Sequence, residues 1–123
     1  MIMDFLPDKP IYQQIMERIF GDLLKGNVKP GDRLPSVREY ALEFGVNANT
    51  MQRVYKELEL MHLTETKRGQ GTFVTEDIKR LEVLREEMMK SLVTNFIHQM
   101  ESFGFTEQEV IVQLSKRSKG ENE

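Results

Sequence analysis

The 123-residue sequence contains no cysteine, has no excess of positive charge, and has no long hydrophobic run. Without cysteine there is neither a disulfide framework nor a thiolate metal site, which fits a reducing compartment. No apolar stretch approaches the ~18 residues a spanning helix needs, so no membrane partner is expected. The segment Met1 to Leu6 carries Asp4 and no basic residue, unlike a secretory leader, and the expected location is the cytoplasm. His62 and His98 stand too far apart for a local metal motif, and neither has neighbouring carboxylates at ligand spacing on an evident pocket. Gly69-Gln70-Gly71 lacks the lysine and following helix of a phosphate loop. No nucleophile–base set stands out. The reading at this level is a non-enzyme with no metal and no cofactor.

What is present is ordinary in bulk and specific in pattern. Hydrophobic residues at 39% and charged residues at 30% suit a soluble globular chain. The formal net charge of −3 is unusual for a nucleic-acid binder. It is also unevenly spread. Residues 1–75 carry ten Lys/Arg and ten Asp/Glu, whereas residues 76–123 carry seven against ten. Local cationic faces bind phosphate, so the neutral first part still admits DNA, though one copy alone should bind weakly.

The chain divides at about Thr75. Asp8-Lys9-Pro10 reads as a helix start with a capping aspartate and an early proline. Ile11, Ile15, Ile19 and Leu23 recur at helical spacing, widened by Tyr12, Met16, Phe20 and Leu24, and Gly26 stops the helix. Lys29-Pro30-Gly31-Asp32 is a turn signal. Ser36-Val37-Arg38-Glu39 is a capping box that starts a second helix running to Phe44. Gly45 ends it, and Asn47 caps a third helix running to about Met61. At about 100° per residue, Met51, Val54, Tyr55, Leu58 and Met61 of this third helix share a core-facing arc. Asn49, Gln52, Arg53 and Lys56 share the opposite arc, and Leu60 falls there without fitting. Two amides, a guanidinium and an ammonium on one face can pair with base edges and phosphate in a major groove. Such a stripe alone is usually a solvated face; behind a short capped helix and a tight turn it reads as a recognition helix. Leu63–Lys67 and Thr72–Val74 are strand-like and joined by Arg68-Gly69-Gln70-Gly71, either a plain surface hairpin or a wing that brings Lys67 and Arg68 to DNA. The expected fold is mainly α with a small β-hairpin, a winged helix-turn-helix domain over 1–75 followed by a helical tail over 76–123.

The segment from Ile11 to Val74 resembles the N-terminal domain of GntR-type bacterial transcription regulators. The resemblance rests on PIYQQI at Pro10, PGDRLPSVRE at Pro30, VNANT at Val46, the VYKELE run from Val54 and TKRGQGTFV at Thr66. It implies roles position by position. Arg33 and Arg38 match positions that contact backbone and bases respectively, and Ser36 matches a helix-start residue near a phosphate. Asn47, Asn49 and Thr50 match the contact-rich start of the third helix. Gln52 and Arg53 match positions that tune the operator. Arg68, Gly69 and Gln70 match the wing tip. Ala48 stands where relatives often have proline or arginine, so no contact is expected from it.

The remaining length resembles the YtrA-like branch, whose short tail is two helices used for dimerisation. From Thr75 to Phe103, apolar residues recur every three or four positions, among them Leu81, Leu84, Met88, Met89, Leu92, Phe96, Met100 and Phe103. That arc is too wide for one contact and suggests packing on the chain itself and on a partner. Core packing is the expected role of the methionines. Gly104 ends the helix, and Phe105 before Thr106-x-x-Glu109 starts a last helix with Val110, Ile111 and Leu114 expected inward, then a charged, frayed tail. The expected function is a homodimeric repressor binding a palindromic operator in double-stranded DNA. The alternative is a winged-helix protein-interaction module without DNA readout, which a salt titration separates. A small-molecule effector of unidentified chemistry would have to sit at the dimer cleft.

Overall fold

The computed structural model describes residues 3–120, so the last three residues of the charged tail lie outside the described residues. Its elements run α1 (Ile11–Lys25), α2 (Val37–Phe44), α3 (Ala48–Leu60), β1 (Thr64–Lys67), β2 (Gly71–Val74), α4 (Ile78–Ser102) and α5 (Glu107–Ser118). The chain forms two compact units, Met1–Val83 and Leu84–Glu123.

In the first unit α3 is the central element, packed against α1, α2 and β1. The reason is visible in its sequence: Met51, Val54, Tyr55 and Leu58 are all buried and lie at three- and four-residue spacing. Ile15, Ile19 and Leu23 come from α1, and Tyr40, Ala41 and Phe44 from α2. Tyr40 stacks near Phe44, ring centroids 4.6 Å apart, and meets Tyr55 edge-on at 6.2 Å. The Tyr55 hydroxyl donates to the Pro35 carbonyl, tying α3 to the approach into α2.

Helix α1 departs from expectation at its start. Asp8 is not the cap: Pro10 is the N-cap residue, and no side chain bonds there. The preceding segment is instead held by Gln14, which is buried in the second turn. Its Oε1 accepts from the Leu6 amide at 2.8 Å, and its Nε2 donates to the carbonyls of Leu6 at 2.8 Å and Lys9 at 3.0 Å. A buried amide that satisfies three backbone groups replaces a cap. Ile11, at the helix start, is exposed.

The hairpin is antiparallel with Thr64 opposite Val74 and Lys67 opposite Gly71. It also gains an edge that the turn-like sequence of residues 29–32 does not announce. Gly31 N–H donates to Val74 O at 3.0 Å, Val74 N–H to Asp32 O at 2.8 Å, and Leu34 N–H to Thr72 O at 2.8 Å. Residues 31–34 therefore run along the outer edge of β2 through an isolated antiparallel bridge, Arg33 opposite Phe73.

Helix α4 starts at Ile78, not at Thr75. Thr75 still belongs to the hairpin, its N–H bonded to Leu63 O at 2.9 Å. The cap is Asp77, whose carboxylate accepts from the amides of Lys79 at 3.1 Å and Arg80 at 3.3 Å. In the second unit Gly104 takes φ +85° to turn the chain, and Thr106 and Glu109 close the capping box of α5 in both directions. Val110 is buried as expected, but Ile111 and Leu114 are exposed. A stripe this short has little to pack against within one chain. No helix among the described residues is long and apolar enough to cross a membrane.

Candidate nucleic-acid interface

Three local structures converge on the expected DNA-contacting residues: the N-terminus of α2, the outer face of α3, and the hairpin tip. The α2 start is rigid. Ser36 Oγ accepts from Glu39 N–H at 3.1 Å while Glu39 Oε1 accepts from Ser36 N–H at 2.9 Å. The bond from Ser36 N–H, and after it a hydrogen bond from the Ser36 side chain, hold the Glu39 carboxyl below its usual range, with a smaller contribution from the Arg33 charge. Arg38, the second residue of α2, is exposed there. Gly45 ends α2 at φ 73°, and Asn47 caps α3 by accepting from Asn49 N–H at 2.7 Å. The Asn47 side-chain oxygen is thus occupied, and its amide N–H₂ remains the group it can offer a ligand.

On α3 the two arcs separate as the helical angles require. Asn49, Gln52, Arg53 and Lys56 are exposed, and Thr50 is half-buried. Leu60, 64% exposed, does stand on the outer face. Arg53 is not a loose cation. Its guanidinium carbon lies 3.7 Å from the ring centroid of Tyr12 on α1. Tyr12 was expected only as part of the apolar stripe; a cation on the opposite element was the missing signal, and nothing local in the sequence pairs the two.

The wing is organised around Arg33. Its Nε donates to the Gln70 carbonyl at 3.0 Å, across 37 positions of sequence. Gly71 sits beside this contact at φ +124°, and a Cβ there would stand 2.7 Å from Arg33 Nε. Glycine is thus required at 71 both by backbone angle and by the approach of the arginine. Gly69, at φ +78°, has nothing within 4 Å of an added Cβ, so the tip is open to a close-approaching ligand. Lys67 lies over the Phe73 ring at 4.9 Å, and Arg68 is exposed at the tip. Arg33, expected from resemblance to be a backbone contact, is therefore also the tie between the α1–α2 connection and the wing.

Among the described residues no group of three or more His, Cys, Asp or Glu could hold a metal ion. What the arrangement can do is offer donors in fixed positions to an anionic, groove-bearing surface. A capped pair of helices with an exposed polar face on the second, followed by an anchored glycine-tipped hairpin, defines a winged helix-turn-helix DNA-binding regulator.

Comparison with known proteins places it more narrowly. Residues 11–74 match the family described as bacterial regulatory proteins, gntR family. An uncharacterized HTH-type transcriptional regulator, YhcF of Bacillus subtilis, is 40% identical over 94% of this chain and 96% of its own. The HTH-type transcriptional repressor YtrA of the same organism is 40% identical over 68% of this chain and 69% of its own. A GntR family transcriptional regulator from Listeria monocytogenes superposes with a TM-score of 0.84 at 40% identity, covering 91% of this chain and 98% of that one. The chain belongs to the GntR family of DNA-binding transcription regulators, in the YtrA-like branch; it is not an enzyme.

Proposed function

We propose that the chain acts as a homodimeric repressor that reads a palindromic operator, with α3 in the major groove and the wing beside the flanking backbone. The observation that carries this is the split of α3: Met51, Val54, Tyr55 and Leu58 are locked in the core while Asn49, Gln52, Arg53 and Lys56 face outward from a rigid helix. Such a helix delivers amide and guanidinium groups to base edges without deforming its own domain. In this reading Arg38, Ser36 and Lys56 serve base and phosphate at the helix starts and flank. Arg33, Lys67, Arg68, Gly69 and Gln70 serve the wing contact. Repression is supported by the name of YtrA, a repressor in that protein's own right.

Dimerisation is supported by the second unit. Met89, Leu92 and Phe103 are 59%, 62% and 73% exposed, and Val93, Phe96, Ile111 and Leu114 line a groove of about 470 Å³. Leu84 is buried in its own chain, and Met88 and Met100 are half-buried, so they support the partner face from beneath. Contiguous exposed apolar surface of this kind marks an interaction site, and a second copy offers the same surface in return.

Selection of bound duplexes from a random pool tests the whole reading. The expected product is an inverted repeat whose half-sites lie about 10 bp or a multiple apart, with log affinity falling against log salt at about −0.9 per phosphate contact. Recovery of asymmetric single sites, or a flat salt response, would refute it.

A further inference from the structure

Tyr12 lies on α1, outside every element proposed to contact DNA, yet it holds the guanidinium of Arg53 on the recognition face. We propose that Tyr12 is a positioning residue that sets the base specificity of Arg53. The inference rests on the reading of α3 as the recognition helix. Arg53 Cζ stands 3.7 Å from the centroid of the phenol ring, within van der Waals contact, and Tyr12 is itself half-buried. A ring fixed by packing is a platform, and a cation centred over it is drawn to its π face. The guanidinium donates through N–H groups in its own plane, so a ring against one face leaves the edges available. Arginine pairs with guanine through just such an edge, two parallel N–H groups to O6 and N7.

The alternative role for the ring is to compete with DNA for the cation. Two features argue for positioning. The contact covers the carbon of the guanidinium and uses none of its hydrogen-bonding capacity. Arginine also has many rotamers, and immobilising such a side chain on binding weakens affinity by about two- to tenfold when nothing orders it beforehand. A pre-held Arg53 avoids that loss only where the base it faces accepts the fixed geometry. The ring therefore acts on discrimination between bases more than on overall binding.

The test uses the full chain and a duplex selected from a random pool by the unaltered protein, together with its single-base variants at each half-site position. Arg53→Ala is expected to erase preference at one base pair. Tyr12→Leu is expected to reduce the preference at that same pair by about two- to tenfold, leaving other positions and the salt slope unchanged, while Tyr12→Phe retains it. Adding Tyr12→Leu to Arg53→Ala should change nothing further. Each preference is a ratio within one variant, so partial unfolding cancels. If Tyr12→Leu weakens every position alike, adds to Arg53→Ala, or sharpens the preference, the positioning role is overturned while the recognition helix stands. If Arg53→Ala leaves all preferences intact, Arg53 is not a reading residue and the inference falls with that assignment.

Discussion

Gly71→Ala probes the link between the wing and the rest of the DNA-binding unit. Two separate costs are built into this position. The backbone holds φ +124°, a region L-residues rarely occupy, and the new Cβ would stand 2.7 Å from Arg33 Nε. Backbone strain of this kind costs about 1–3 kcal/mol. Arg33 can swing away, but doing so breaks its 3.0 Å bond to the Gln70 carbonyl, a further cost of about 0.5–1.5 kcal/mol for an ordinary hydrogen bond. Gly71→Ala should therefore destabilise the unit by about 2–4 kcal/mol in urea titrations. In an Arg33→Ala background the clash and the bond are already gone, and the same substitution should cost the backbone strain alone. The coupling of about 1 kcal/mol between the two sites is the signature. Strict additivity would show that Arg33 and the wing tip do not communicate, and Arg33 could not then be the anchor of the wing. Under conditions where the variant stays folded, operator affinity should also drop.

Three other outcomes are expected. Burial raises the Tyr40 hydroxyl to about 12 and pushes the Tyr55 hydroxyl higher still, so both groups hold their protons more tightly folded than unfolded. Their stabilisation is complete below pH ~10 and is lost as pH rises through the folded values; urea midpoints should fall steeply above pH ~10, and less steeply in Tyr55→Phe, which also loses its bond to Pro35 O. Ser36→Ala removes the α2 cap and should cost about 1 kcal/mol; the Ser36 N–H that chiefly lowers the Glu39 carboxyl survives the change, so in an NMR titration that carboxyl should rise only part of the way and stay below its ordinary range, and a full return to the ordinary range would refute the backbone bond as the main cause. Leu92→Glu alters a side chain 62% exposed in the chain, so the fold should persist while sedimentation velocity reports monomer in place of dimer; a dimer that survives this change and Phe103→Glu would refute the tail's role.

Much of the fold was legible because it is written in local rules. Ser36-x-x-Glu39 and Thr106-x-x-Glu109 are capping boxes in sequence and close as capping boxes in space. The α3 arcs follow from 100° per residue and a core on one side. What was not legible depends on partners distant in sequence. Gln14 reads as a polar residue in an amphipathic helix, and nothing local says that it bonds Leu6 and Lys9 in place of an Asp8 cap. Residues 29–32 read as a turn because Pro30-Gly31-Asp32 is turn chemistry, while the pairing of residues 31–34 to β2 needs the hairpin to be in place first. Arg33 with Gln70 and Arg53 with Tyr12 are the same kind of omission in the site. The exposed Ile111 and Leu114 were expected inward because a single chain was asked to bury a stripe that it leaves open.

The charge of the first part of the chain ties these contacts to the mode of binding. With ten cationic and ten anionic residues over 1–75, long-range attraction to DNA is weak. Affinity must then come from donors held where the groove needs them. The structure spends its side-chain contacts accordingly: Arg33 is fixed by Gln70, Arg53 by Tyr12, Lys67 by Phe73, and Glu39 is turned onto the α2 N-terminus. A domain built this way discriminates better than it attracts. Joining two copies raises the effective concentration of the second domain once the first is bound, and does so without adding positive charge. Sequence-independent binding, which depends on phosphate neutralisation, gains much less, because neither copy grips a non-operator duplex for long. In the proposed dimer, low net charge and an exposed apolar tail would be complementary features of a regulator that reads two matched half-sites.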